Sequence, residues 1–240
     1  MNGGLTVVKK MDILRMRKDG RTTLSEAEAK SLLREWGIPT TNFLLPKREE
    51  LASLRIRFPV AVKVSSPNVL HKTDQGGVFI DVKDWEELTR RFDTIERRFP
   101  EGQVLVESME EGNAEFIVGL LKDPVFGLII MFGTGGVLTE LYQDISFRKV
   151  PITPEDADEM MDEIKAGKLL RGFRGIKADR GAVKQILLEA SDMGIELEEH
   201  INQIDLNPVI VKEHGCVVVD AKIIFEPLEQ NLHVEPLITR

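Results

Sequence analysis

Two apolar segments late in the chain, Ile204-Asp205-Leu206-Asn207-Pro208 and Val217-Val218-Val219-Asp220-Ala221-Lys222, each set acid-type oxygen side chains into β-rich sequence. Strand side chains alternate between faces, so Asp205 and Asn207 share one face. Glu213-His214-Gly215 carries turn chemistry, and a hairpin closed there sets Asn207 opposite Asp220 on the neighbouring strand. Carboxylate and amide oxygens with room left for water suit Mg2+, which keeps several waters and normally arrives with nucleotide phosphates. The same three residues also fit strand-end, turn and solvated positions, so the segment alone leaves both readings open.

Composition narrows the setting. A length of 240 residues suits one large or two small domains with a real core. A hydrophobic fraction of 42% with 30% charged residues is that of a soluble globular chain, and no apolar run reaches the ~20 residues of a membrane helix. The formal net charge of -8 argues against a general nucleic-acid binder. A single cysteine, Cys216, excludes an internal disulfide; its apolar strand reads as buried packing in a reduced, cytoplasmic protein. The first 23 residues hold Lys9, Lys10, Arg15, Arg17 and Lys18 without a continuous apolar core, so they read as a basic extension and not a secretory signal.

From Ser25 onward the elements follow from pattern. Ser25 with Glu28 forms a capping box, and Leu24, Ala29, Leu32, Leu33 and Trp36 recur at helical spacing until Gly37 and Pro39. A short strand at Phe43-Leu45, a helix from Arg48 to Leu54 and a strand over Phe58-Val64 come next, then strand Val78-Val82, a helix from Asp84 to about Phe99 and strand Val104-Glu107. Beyond these, Ala114-Leu121 and Phe126-Phe132 predict an antiparallel pair, followed by a strand ending at Leu141, an extended Ser146-Val150 and helices within Pro154-Leu170 and Ala182-Met193.

Lys63 stands on an otherwise apolar strand, where an ammonium must either reach solvent or meet a buried anion. Phosphate is one such anion; a lysine on the solvent face of an alternating strand is the other reading. The polar, Gly-containing loop from Ser65 to Gly77 directly after it could lay backbone N–H groups over phosphate oxygens. No Gly-x-x-x-x-Gly-Lys-Ser/Thr pattern occurs, which disfavours a P-loop fold. Strand Val104-Glu107 runs into Ser108-Met109-Glu110-Glu111-Gly112, a connection between two units that could offer backbone groups to an adenine edge, with Glu107 and Glu115 near the ribose or a metal.

Taken in order, Lys63, the His71-to-Val78 flap, Val106-Glu107-Ser108-Met109, Glu115, Gly133-Thr134-Gly135-Gly136-Val137, Asp205-x-Asn207-Pro208 and Asp220-Ala221-Lys222 resemble the nucleotide-binding domains of the ATP-grasp family. The branch they resemble is the β subunit of ADP-forming acetyl-CoA (acyl-CoA) synthetase, related to the succinyl-CoA synthetase β chain, over about Leu24 to Glu226. Ser66-Pro67-Asn68-x-x-His71-Lys72-Thr73-Asp74-x-Gly76-Gly77-Val78 is its most specific element. The resemblance implies an α+β fold of two α/β subdomains, 24–106 and 107–226, with the nucleotide between their sheets and a tail at 227–240.

The resemblance also assigns roles. Lys63 would hold nucleotide phosphates, and the flap, with His71, Lys72, Thr73, Gly76, Gly77 and Val78, would close over them. Glu107 and the Ser108-Met109-Glu110 backbone would line the adenine and ribose pocket, with Glu115, Gly135 and Gly136 also facing the nucleotide. Asn207 and Asp220 would take Mg2+, Asp205 would steady a phosphohistidine, and Arg148 would contact phosphate or the transition state. His71 would carry a phosphoryl group on to ADP to give ATP. The CoA-binding and CoA-ligase domains of the complete enzyme are missing here, which implies an α subunit as partner, in an α2β2 assembly. Another ATP-grasp carboxylate ligase and a non-catalytic nucleotide-sensing subunit are the alternative functions.

Overall fold

The computed structural model describes residues 10–136 and 144–227. Among the described residues, ten strands form two sheets. The smaller has the order β1 (Phe43–Leu44), β4 (Gln103–Ser108), β2 (Val60–Ser65), β3 (Val78–Val82), with every pairing antiparallel. The larger runs β10 (Ala221–Phe225), β8 (Ile201–Val211), β5 (Ala114–Asp123), β6 (Gly127–Thr134), β7 (Ile145–Lys149), with β9 (Cys216–Val218) also paired to β8. The expected pair of long strands is β5 and β6, in antiparallel register from Phe116↔Thr134 to Asp123↔Gly127.

Alternation decides which face of each sheet is buried by helices. In the small sheet, Val60, Val62 and Val64 of β2 with Val104 and Val106 of β4 pack under Leu88, Phe92 and Ile95 of helix α3 (Trp85–Arg98). The opposite face carries Ala61, Lys63 and Glu107. In the large sheet, Leu120, Ile130, Ile204 and Leu206 turn towards α4 (Pro154–Glu163) and α5 (Arg180–Leu197), whose Met160, Met161, Ile186, Leu187 and Met193 complete the larger core. Each of these side chains, taken from water, contributes ~1.5–3 kcal/mol.

Helix α2 (Glu26–Glu35) is where the two layers meet. Ser25 caps it through the predicted box: its backbone N–H donates to Glu28 Oε2 at 2.8 Å, and its hydroxyl accepts from the Glu28 N–H at 3.4 Å. Ala29, Leu32 and Leu33 join the large core, while Ala27 packs on Phe43 and Leu105 of the small sheet. A helix apolar on these two sides leaves Glu26 and Lys30 no route to water. Within the segment read as an extension, residues 10–18 form helix α1 (Lys10–Lys18), whose Ile13 is buried in the large core. Its Arg17 guanidinium donates to the carbonyls of Glu199 and Glu226.

Two expected helices differ in kind. Arg48–Ser53 is a 3-10 turn that buries only Leu51, and the Pro154–Leu170 segment breaks at the extended Ile164 into α4 and a 3-10 stretch, Lys165–Arg171. The strand expected to end at Leu141 and the tail beyond Pro227 lie outside the described residues. Among the described residues, no helix is long and apolar enough to cross a membrane.

Candidate nucleotide and metal site

Lys63 is 4% exposed, and the anions it meets are carboxylates. Its Nζ lies 2.5 Å from Glu107 Oε1 and 3.0 Å from Glu26 Oε1, and it donates to the Val219 carbonyl at 3.2 Å. The solvent-face reading therefore fails, because α2 covers that face. Lys30, fully buried one helical turn after Glu26, pairs with Glu26 at 2.8 Å and with Glu107, and donates to Thr41 Oγ1 at 2.9 Å. Thr41 in turn donates to Glu107 Oε2 at 2.5 Å. Burial opposes ionisation of Glu26, but the ammonium groups of Lys63, Lys30 and Lys72 outweigh it and hold the carboxyl well below the usual carboxylate range. Burial likewise pulls the Lys63 ammonium down, and Glu26, Glu107 and Asp220 more than restore it.

The hairpin prediction holds in detail. The Asn207 N–H donates to the Asp220 carbonyl at 3.2 Å, and Leu206 pairs with Ala221 and Asp205 with Lys222. Asp220 reaches the cluster through Lys72 of the flap, whose Nζ donates to Asp220 Oδ1 at 2.7 Å and pairs with Glu26. Lys30, Lys63 and Lys72 thus face Glu26, Glu107 and Asp220, so the buried cluster closes at zero net charge. Asp205 stands apart from this balance. Its Oδ1 is buried without a hydrogen-bond partner, and burial followed by the nearby Asp220 charge raises its pKa against the opposing pull of Lys222. Asn207 Oδ1 accepts from the Gly136 N–H at 3.0 Å.

The glycine loop is explained by close approach. A Cβ on Gly135 would stand 2.4 Å from the Phe116 carbonyl oxygen, and Gly136 has φ +69°. Gly135→Ala is therefore expected to push the loop off β5, weakening both stability and nucleotide affinity; thermal denaturation and calorimetric titration with Mg·ADP check this.

An ATP-grasp domain model matches residues 15–225. The β subunits of two ADP-forming acetate–CoA ligases from Pyrococcus furiosus are similar to this chain: isoform I at 39% identity over 91% of this chain and 98% of the relative, isoform II at 40% over 86% and 93%. The chain belongs to the ATP-grasp family, in the branch of ADP-forming acetate–CoA ligase β subunits. An acetyl-coenzyme A synthetase from Candidatus Korarchaeum cryptofilum, solved with coenzyme A and Ca-AMPCP, superposes with a TM-score of 0.83 at 42% identity, covering 91% of this chain and all of that one. Another structure of that synthetase holds Mg-AMPPCP with a phosphohistidine segment pointing towards the nucleotide-binding site, at a TM-score of 0.79. In Archaeoglobus fulgidus, a 41% identical acetate–CoA ligase carries the matching stretch as 30% of a longer chain.

Within this ATP-grasp domain, the family resemblance assigned residues that the geometry sorts into two groups. Lys63, Lys72, Glu107 and Asp220 share the buried cluster, and Asp205 and Asn207 lie beside it on β8. Glu107 turns its carboxylate into the cluster and away from solvent, being 2% exposed, so it anchors lysines where a ribose contact was expected. Ser108 donates to Glu110, which is held by Lys212 at 2.6 Å, and Met109 lies between them in the connection to β5. A cavity of about 250 Å3 opens beside this hinge, lined in part by Asn42, Leu44, Val106 and Ser108. A hollow of about 370 Å3 on the outer, arginine-rich face of α3 is remote from all of these groups. Glu115 is exposed, and its carboxylate lies against Gly136. His71 and Thr73 are exposed on the flap, Gly77 is buried at its base, and Gly76 and Val78 are half-buried there.

Arg148 is a correction. Across the sheet, Arg148 pairs with Ile130, Ile130 with Leu120 and Leu120 with Ile204, whereas Asp205 lines up with Gly119, Met131 and Phe147. Partners opposite one another share a face, so Arg148 projects from the helix-covered face and not into the cleft. There its guanidinium is engaged by Glu163 at 2.5 Å and Glu159 at 3.2 Å on α4, which raise its pKa. Arg148→Ala should leave Mg·ADP affinity within about twofold and cost ~0–1 kcal/mol of stability, as for an exposed ion pair; titration calorimetry and thermal melts check both.

Glu26, Lys30 and Thr41 are the cluster members that sequence reasoning missed. The available signal was Glu26 and Lys30 at i,i+4 on a helix that also carries Ala27, Ala29, Leu32 and Leu33, ahead of a second lysine on an apolar strand. Cys216 is packing, as expected: burial, with Asp179 and Glu189 nearby, pushes its thiol up to about 12.

Proposed function

We propose that this chain is the nucleotide end of an ADP-forming acyl-CoA synthetase, working with an α subunit to convert acyl-CoA, ADP and phosphate into acid, CoA and ATP. The observation that carries this is the meeting, in a member of this family, of Lys63 and Lys72 from the small sheet and its flap with the Val219 carbonyl and Asp220 of the large-sheet hairpin, where Asn207 stands opposite Asp220 and Asp205 lies two residues before Asn207. The complete assembly is read as α2β2 and the compartment as the cytoplasm, in keeping with the single buried Cys216.

The residues fit Mg2+. Two carboxylates and an amide supply hard oxygens, and the partnerless buried Oδ1 of Asp205 marks a place where a cation would relieve an orphaned acceptor. Asn207 and Asp220 would hold the ion, which supplies charge neutralisation on the transferring phosphoryl group. Lys63 and Lys72 bind the phosphates electrostatically, and the Glu26–Lys30–Glu107 scaffold fixes the Lys63 ammonium so that it costs no reorganisation during transfer. The hinge from Ser108 to Glu110 holds the base, and Glu115, Gly135 and Gly136 border the nucleotide from the large sheet.

His71, exposed on the flap, takes a phosphoryl group on a ring nitrogen, the P–N bond to the partner's phosphohistidine breaking as the new one forms. The labile P–N bond then breaks in favour of a terminal ADP oxygen, giving ATP. Asp205 steadies the phosphohistidine in transit. The test is to mix the chain with a candidate α subunit, Mg2+, phosphate and acetyl-CoA and to map acid-labile phosphate on wild type and His71→Ala. Phosphate on His71, discharged by ADP, is expected. Phosphate confined to α would remove His71 from the relay, and none on either chain would overturn the reading in favour of an ATP-grasp ligase that activates its acid directly.

A further inference from the structure

The lysine following His71 occupies the carboxylate assigned to the metal. Lys72 Nζ donates to Asp220 Oδ1 at 2.7 Å and pairs with Glu26, and its side chain is only 12% exposed. The flap root is a closed turn, with the Gly77 N–H donating to the Lys72 carbonyl at 2.7 Å and the Gln75 N–H to the His71 carbonyl at 3.2 Å. Gly77 is in turn fastened to β2, its carbonyl accepting from the Val64 N–H at 2.8 Å. Lys72 thus ties the turn to the large sheet, and through Asp220 it ties it to a side chain of the proposed ion site.

An ammonium and a divalent cation cannot share one carboxylate oxygen without strong repulsion at short range. We propose that Lys72 is a positioning residue that stands in for the metal on Asp220, so that divalent-cation binding there releases the ammonium and with it the flap that carries His71. Ion entry and flap release are then one event. Glu26 does not lose its balance when Lys72 leaves, because Lys30 at 2.8 Å and Lys63 at 3.0 Å still neutralise it. The Lys72 ammonium is thereby available for the phosphates that arrive with the ion. The inference rests on the reading of Asp220 as a metal ligand.

The test uses Mn2+ alone, without nucleotide, titrated into the full chain and followed by electron paramagnetic resonance, together with hydrogen exchange of residues 66–77. Lys72→Met is expected to tighten Mn2+ binding about tenfold by removing the competing charge, and Lys72→Arg to leave it close to wild type. Saturating Mn2+ should speed exchange across the flap of the wild type and change nothing in Lys72→Met, where exchange is already fast. Should Lys72→Met fail to fold, the wild-type exchange response and the Lys72→Arg titration decide the matter alone. Unchanged affinity in Lys72→Met while Asp220→Asn weakens binding would overturn the latch and leave the ion site intact. Unchanged affinity in both variants would overturn the ion site as well.

Discussion

Glu26→Gln lowers the melting temperature by roughly 6–20 °C, the largest stability effect expected of any polar substitution in this fold. Glu26 holds Lys30, Lys63 and Lys72 with one carboxylate, and its amide replacement has the same shape but leaves three buried ammonium groups facing two carboxylates. Removing one partner of a buried ion pair costs about 3–5 kcal/mol, and a chain of this size loses ~2–4 °C per kcal/mol. The pH dependence carries the same signature. Because the folded-state pKa of Glu26 is depressed, its contribution is fully present above the ordinary glutamate value of about 4.3 and is lost as pH falls through the folded-state value below it. The wild type should therefore lose stability steeply on acidification below about pH 4, and Glu26→Gln should show a shallower slope there. Equal slopes in thermal melts between pH 3 and pH 7 would contradict the assignment.

Among substitutions at the proposed ion site, Asp220→Asn is expected to be the most damaging for chemistry. It keeps shape and an amide oxygen while removing the carboxylate charge from the proposed ion site, and it stands opposite Asn207, the other proposed ligand. The expected outcome is a fall of about 100-fold or more in phosphoryl transfer to ADP, partly recovered at high Mg2+, since the lost term is charge placed against the transferring group. Assays of ATP formation by the complex at graded Mg2+ measure this. A rate within threefold of wild type at every Mg2+ concentration would move the ion site elsewhere.

Much of this was legible because it depended on local pattern. The Ser25–Glu28 box, the β5–β6 pair and the Asn207–Asp220 register all follow from spacing that a single element imposes on itself. The destination of the Lys63 ammonium was not legible, since alternation puts it on the face that would be solvent in an isolated hairpin. What buries it is α2, a helix nearly thirty residues earlier in the chain, whose Glu26 and Lys30 carry no β-strand signal. Arg148 went astray for the converse reason. Its strand was correctly expected, but its face depends on a register across four strands that only the assembled sheet fixes.

Calorimetric titration of Mg·ADP into the chain, Lys63→Met and Asp220→Asn asks whether the two sheets hold a magnesium nucleotide through Lys63 and Asp220. One site per chain is expected, weakened at least about tenfold by either substitution, each variant first shown by thermal melt to be folded at the titration temperature. A chain that binds no Mg·ADP, or binds it equally well after both substitutions, would contradict this.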